Sequence, residues 1–77
     1  MDYSNPVVEL LGTETAIRRV VDSIKNNAKR MAKLRSLNGN DARNQAEKYV
    51  VAECQAQHFK LRREDIITAT VLVTKEV

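Results

Sequence analysis

Apolar and polar positions are most regular between Glu14 and Leu37, ETAIRRVVDSIKNNAKRMAKLRSL. On a helical wheel with Ile17 at zero, Val20, Val21, Ile24, Ala28, Met31 and Ala32 share one arc. Arg18, Arg19, Lys25, Lys29, Arg30 and Lys33 take the opposite one. That is the pattern of an amphipathic helix, with Thr13 as the expected cap and Glu14 in the first turn, where the helix dipole favours an anion. Arg35 falls on the apolar arc, as expected if the helix is leaving the core there. Ser36-Leu37-Asn38-Gly39 ends the pattern, Asn38 and Gly39 both being residues that tolerate a left-handed helix terminus.

A second helix is expected from a cap at Asn40 or Asp41 to about His58. Ala42, Ala46, Tyr49, Val50, Ala52, Cys54 and Ala56 spread over a wide arc, with Glu53 and Gln57 in its middle. The short turn between the two helices makes them an antiparallel hairpin. Upstream, Asn5-Pro6 and Gly12 bracket a short apolar segment that reads as a helix of two turns or a short strand. Downstream, Arg62-Arg63-Glu64-Asp65 resembles a helix start, with Leu61 placed to staple onto Ile66. Against that, IITATVLVT is rich in β-branched residues and alternates like a strand. The fold class is therefore all-α in a single small domain, residues 1–77, with a hairpin of about 14–37 and 41–58. Residues 66–75 are expected as helix, with strand as the alternative.

Composition narrows this picture. A chain of 77 residues has a marginal core, and one cysteine cannot form an internal disulfide. Oligomerisation is the remaining staple, so a homodimer is expected. No run approaches the roughly 20 apolar residues of a membrane span, and no basic segment leads into a long apolar core. With the lone cysteine, this reads as a cytoplasmic protein without a membrane role.

The net charge of +3 is unevenly placed, because residues 18–35 hold seven Lys/Arg against Asp22 alone. Such a face steers anionic partners, either an acidic protein surface or a nucleic-acid backbone. Base-reading side chains on this stretch are few, and stacking aromatics are absent from it. An unpaired buried carboxylate is costly, so Glu53 and Gln57 suggest that the second helix emerges into solvent, the alternative being that they hydrogen-bond across an interface. Emergence would leave Val50, Val51 and Cys54, with Phe59 nearby, as an exposed apolar interface. Cys54 and His58 have the spacing of a nucleophile and base, but no third orienting group accompanies them, and a packed cysteine beside a surface histidine is the simpler reading. With two glycines in total there is no phosphate-cradling loop, and one His with one Cys falls short of a zinc site.

The expectation is thus a non-enzymatic binding module without cofactor, metal or small-molecule substrate. It is read as a dimeric regulator or inhibitor of a protein partner. The alternative is a nucleic-acid-binding protein that uses the basic helix on the phosphate backbone.

Overall fold

The computed structural model describes residues 12–77. The short element expected before Gly12 lies outside the described residues. Four helices follow: α1, Thr13–Lys25; α2, Ala28–Arg35; α3, Gly39–Ala56; and α4, Arg63–Lys75. The described residues are all-helical, and the C-terminal segment is helix.

The expected helix 14–37 is two helices, because adjacent asparagines interrupt it. Asn26 closes α1. Asn27 is extended and caps α2, its side-chain oxygen accepting the Arg30 N–H at 3.1 Å. Asparagine suits this junction, since its short amide satisfies a helix's free N–H groups from outside the helix.

The buried face is also turned from the expected arc. Ala16, Val20, Ile24, Met31 and Leu34 are buried, while Ala28 and Ala32 are exposed. With Val21 also buried, the stripe is rotated on the wheel by roughly 45° from an arc centred on Ile17. The rotation brings Ser23 and Arg30 to the edge of the core. Arg35 is exposed, as expected of a helix leaving the core.

The other boundaries differ by small amounts, for local reasons. Gly12, at φ 82, caps α1 in place of Thr13. α2 closes on Ser36, whose hydroxyl donates to the Lys33 carbonyl at 2.6 Å. Asn38 is extended and precedes α3, and Gly39 is its first helical residue.

α3 stops at Ala56. The Phe59 N–H reaches back to the Cys54 carbonyl at 2.8 Å and the His58 N–H to the Gln55 carbonyl at 3.2 Å. This is a Schellman motif with His58, at φ 61, where glycine is usual.

α4 resolves the helix-or-strand choice through its start and its threonines. The Asp65 carboxylate accepts the Arg62 backbone N–H at 3.4 Å, half of a capping box, since arginine has no acceptor to return the bond. Leu61 and Ile66, the expected staple pair, both pack against the core. Thr68, Thr70 and Thr74 each donate their hydroxyl to a carbonyl three or four residues back. Thr70 is thereby buried with its hydroxyl satisfied.

α1, α3 and α4 pack around the core, to which α2 adds Met31 and Leu34, and α3 touches all three other helices. α1 and α4 begin together, Thr13 lining one hollow with Arg62 and Asp65. They also end together, at a Lys25–Glu76 ion pair of 3.5 Å. Ile24, Leu34, Val20, Val50 and Val73 are the largest fully buried side chains. At about 25 cal/mol per Å² of apolar surface, each such side chain contributes roughly 1.5–3 kcal/mol.

Candidate interaction surfaces

α3 has a central stripe of small and medium side chains, Ala42, Ala46, Val50 and Cys54, all buried. Their spacing of four keeps them in one row. The rows on either side of this stripe decide where the molecule is closed and where it is open.

The first row is Gln45, Tyr49, Glu53 and Gln57, all half-buried. It meets α1 and α2. The Glu53 carboxylate, whose side chain is 13% exposed, accepts from the Arg30 guanidinium at 2.8 Å. It also accepts from the Ser23 hydroxyl and from the Gln57 amide at 3.1 Å. The Arg30 guanidinium lies 5.1 Å from the centre of the Tyr49 ring, within cation–π range. The Ser23 hydrogen bond, joined by those of Gln57 and Arg30 and by the Arg30 charge, holds the Glu53 carboxyl below its ordinary value against the opposing effect of burial.

This corrects two expectations. Glu53 and Gln57 do not mark a helix emerging into solvent; they close a seam between α3 and the first two helices. Arg30 is no free member of a basic face but an anchor within that seam.

The expected apolar interface changes with it. Val50, Cys54 and Phe59 are buried in the protein's own core, and of the four only Val51 is exposed, at 37%. Burial, and then the nearby Glu53 charge, push the Cys54 thiol up and keep it protonated. His58 is exposed and occupies the helix terminus. Neither is placed as a nucleophile–base pair requires.

The second row of α3, Arg43, Glu47, Val51 and Gln55, borders a groove against α4. Val51, Ala52 and Ile66 line a hollow of about 520 Å³ with Glu47 and Arg63. The same Glu47 and Arg63 continue into a hollow of about 200 Å³ beside Ile67 and Thr70. Ile67 is 39% exposed. A separate hollow of about 340 Å³ lies between α1 and α4, with Ile17, Val21 and Leu72 among its lining residues.

The six basic residues singled out from the sequence are spread over four surroundings. Arg18 and Lys25 line the α1–α4 hollow, where Arg18 stands 3.7 Å from Glu14 and Lys25 is paired with Glu76. These contacts are exposed and contribute little to stability. Arg19 is exposed on α1, and Arg30 belongs to the Glu53 seam. Lys29 and Lys33 share one side of α2 and Arg35, two residues after Lys33, lies on the other; all three are exposed and make no ion pair among the described residues.

α2 carries four cations and no acid in eight residues. Three residues separate it from α3, whose first turns expose Asn40, Arg43 and Asn44. The spacing i, i+3, i+4 sets these three on one face. In the sequence this second group is hard to see, because it lies on the polar side of a helix whose clearest signal is its apolar arc.

Among the described residues no helix is long and apolar enough to cross a membrane. No family model, curated protein or solved structure matches the chain.

Proposed function

We propose that the chain is a non-enzymatic binding module of the cytoplasm, and that its partner is nucleic acid held through the phosphate backbone by α2. The observation that carries this reading is α2 itself. Lys29, Lys33 and Arg35 stand exposed without carboxylate partners, while Arg30 ties the same short helix to the body of the protein. Cations fixed on an anchored helix bind phosphates without spending their charge on internal pairs. Asn40, Arg43 and Asn44 follow after a short turn, and Asn and Arg are the side chains that pair with adenine and guanine edges. Helix, three-residue turn, helix is an arrangement that nucleic-acid-binding proteins use.

The test is a fluorescence-anisotropy titration with a labelled 20-base-pair duplex and a single strand of equal length, at about 50 and 200 mM salt. Binding should weaken steeply with salt. The variant Lys29→Glu/Lys33→Glu/Arg35→Glu should bind less and reduce the log–log salt slope by roughly two to three. Absence of binding at the lower salt, or binding indifferent to the triple substitution, would defeat the proposal.

The second reading is a regulator or inhibitor acting on a protein partner, and the α3–α4 groove favours it. Its support is narrower than the sequence suggested, since Val50, Cys54 and Phe59 are occupied in the core.

A further inference from the structure

We infer, resting on the nucleic-acid reading above, that the ligand is double-stranded DNA and that the first half of α3 lies in its major groove, with Asn40, Asn44 and Lys48 against base edges. These three follow one another at intervals of four, so they share one face of the helix, and all are exposed. None makes a side-chain hydrogen bond or ion pair among the described residues. Asn44 stands inside the helix, away from either cap. Asparagine there forms helix less well than alanine and, without an internal bond, gives the fold nothing in return. Its amide is free to pair with an adenine edge, and the Lys48 ammonium with guanine.

Cations stand on both flanks of this face. On one flank Arg30 of α2 turns toward α3 at Tyr49 and Glu53, and exposed Lys33 lies one turn further along α2. On the other flank Arg63, at the start of α4, lines one hollow with Lys48 and a second with Arg43 and Asn44. Glu47 is the one acid lining these two hollows, against the three cations Arg43, Lys48 and Arg63, so an anionic occupant matches this flank. The major groove of B-form DNA is bounded by a phosphate strand on each side and is about 12 Å wide, enough for a helix of about 10–12 Å. A reading face between two cationic flanks fits that arrangement. Asp41 and Glu47 accompany the amides of α3; a carboxylate repels phosphate but accepts from the amino group of cytosine, so the face itself suits bases and leaves the backbone to its flanks.

Other nucleic acids fit less well. Single-strand binding draws on exposed aromatic rings, and both aromatics among the described residues are engaged, Phe59 in the core and Tyr49 beside Arg30. The major groove of an RNA duplex is too narrow for side chains to read.

Selection by the full chain from a pool of DNA duplexes with a random centre tests this. Asn40 to Lys48 spans roughly 12 Å, so the wild type should enrich a motif of about three or four base pairs. On the enriched duplex Asn44→Ala should lose about five- to a hundredfold in affinity and relax the preference at one base pair. Its affinity for unrelated duplexes should change less than about twofold. Arg63→Glu should weaken binding to all duplexes alike and reduce the log–log salt slope by roughly one. Both side chains are exposed, so far-UV circular dichroism should show unchanged helix content. The enriched sequence offered as an RNA duplex or as a single strand should bind at least about tenfold more weakly. Salt-dependent binding through α2 that enriches no motif, or that ignores Asn44→Ala, overturns this inference and leaves backbone binding by α2 standing. A preference for the RNA duplex or the single strand overturns it in the same way. Absence of binding to every probe at about 50 mM salt defeats both readings.

Discussion

On one flank of α3, the row Gln45, Tyr49, Glu53, Gln57 finds hydrogen-bond donors and a cation on α1, α2 and its own helix end. On the other flank, the row Arg43, Glu47, Val51, Gln55 faces a groove and finds no ionic partner among the described residues. Both rows mix charge with apolar surface. What separates them is satisfaction. A carboxylate that collects three donors can be removed from water, and it locks two elements together. A carboxylate left beside exposed valine and isoleucine stays hydrated, and the apolar surface beside it stays uncovered. The closed flank serves the fold, and the open one is available to a partner.

Substitutions on and beside the two flanks separate these roles. The largest effect belongs to the stripe between them. Val50→Asp would bury a carboxylate at a fully buried position, and a loss above about 4 kcal/mol is expected. Loss of the cooperative thermal transition in circular dichroism is the check.

On the closed flank, Glu53→Ala leaves the Arg30 guanidinium, 28% exposed, without its partner. It should cost about 2–3 kcal/mol in urea denaturation; a cost near zero would mean that the seam does not hold α2 in place.

The same carboxyl shapes the acid limb of stability. Its folded-state value lies below the ordinary 4.5, so the unfolded chain binds the proton more tightly than the folded one. The Glu53 contribution is complete above about pH 4.5 and is lost as the pH falls through the lower folded-state value. In Glu53→Gln this part of the acid dependence should flatten, as read from denaturation midpoints across pH 3–6.

Asn27→Ala removes the cap of α2 and should cost about 1 kcal/mol. His58→Gly relieves a left-handed conformation at a side chain that makes no hydrogen bond among the described residues. It should raise stability by roughly 0.5–1 kcal/mol. The smallest effect belongs to the open flank: Val51→Asp, next to Val50, should change monomer stability by less than about 0.5 kcal/mol when measured on dilute protein.

How much of this could be read from the chain varies with the range of each interaction. Local chemistry was legible. The existence of a turn around Leu37, though not its exact bounds, the staple of Leu61 and Ile66, the acids opening α4 and the outward Arg35 all depend on residues within a few positions of one another. The start signals of α4 prevailed over its β-branched composition because each threonine hydroxyl is satisfied within the helix.

The seam was not legible. Ser23 and Arg30 lie 30 and 23 positions from Glu53, and no wheel joins residues on different helices. The wheel also set Ile17 at the centre, where size outweighed position. Ala16 and Leu34, both buried, fell outside the arc, while exposed Ala28 and Ala32 fell inside it. The exposed apolar patch was misplaced for the same reason. The chain alone shows no partner for Glu53, so its carboxylate points to solvent and its sequence neighbours Val50 and Cys54 read as exposed with it. For the candidate binding surface, the cations of α2 were legible as charge, but their separation from Arg30 required the fold.

The burial of Cys54 turns the protein into a recorder of its own opening. A thiol enclosed by the α3 stripe is shielded from an alkylating reagent until the helices part. Each alkylation event then counts one excursion from the closed state. With excess reagent the counting rate approaches the opening rate; with dilute reagent it follows the fraction of molecules open at any instant. A single side chain, introduced nowhere by design, thus gives both the clock and the population for the motion that the Glu53 seam restrains.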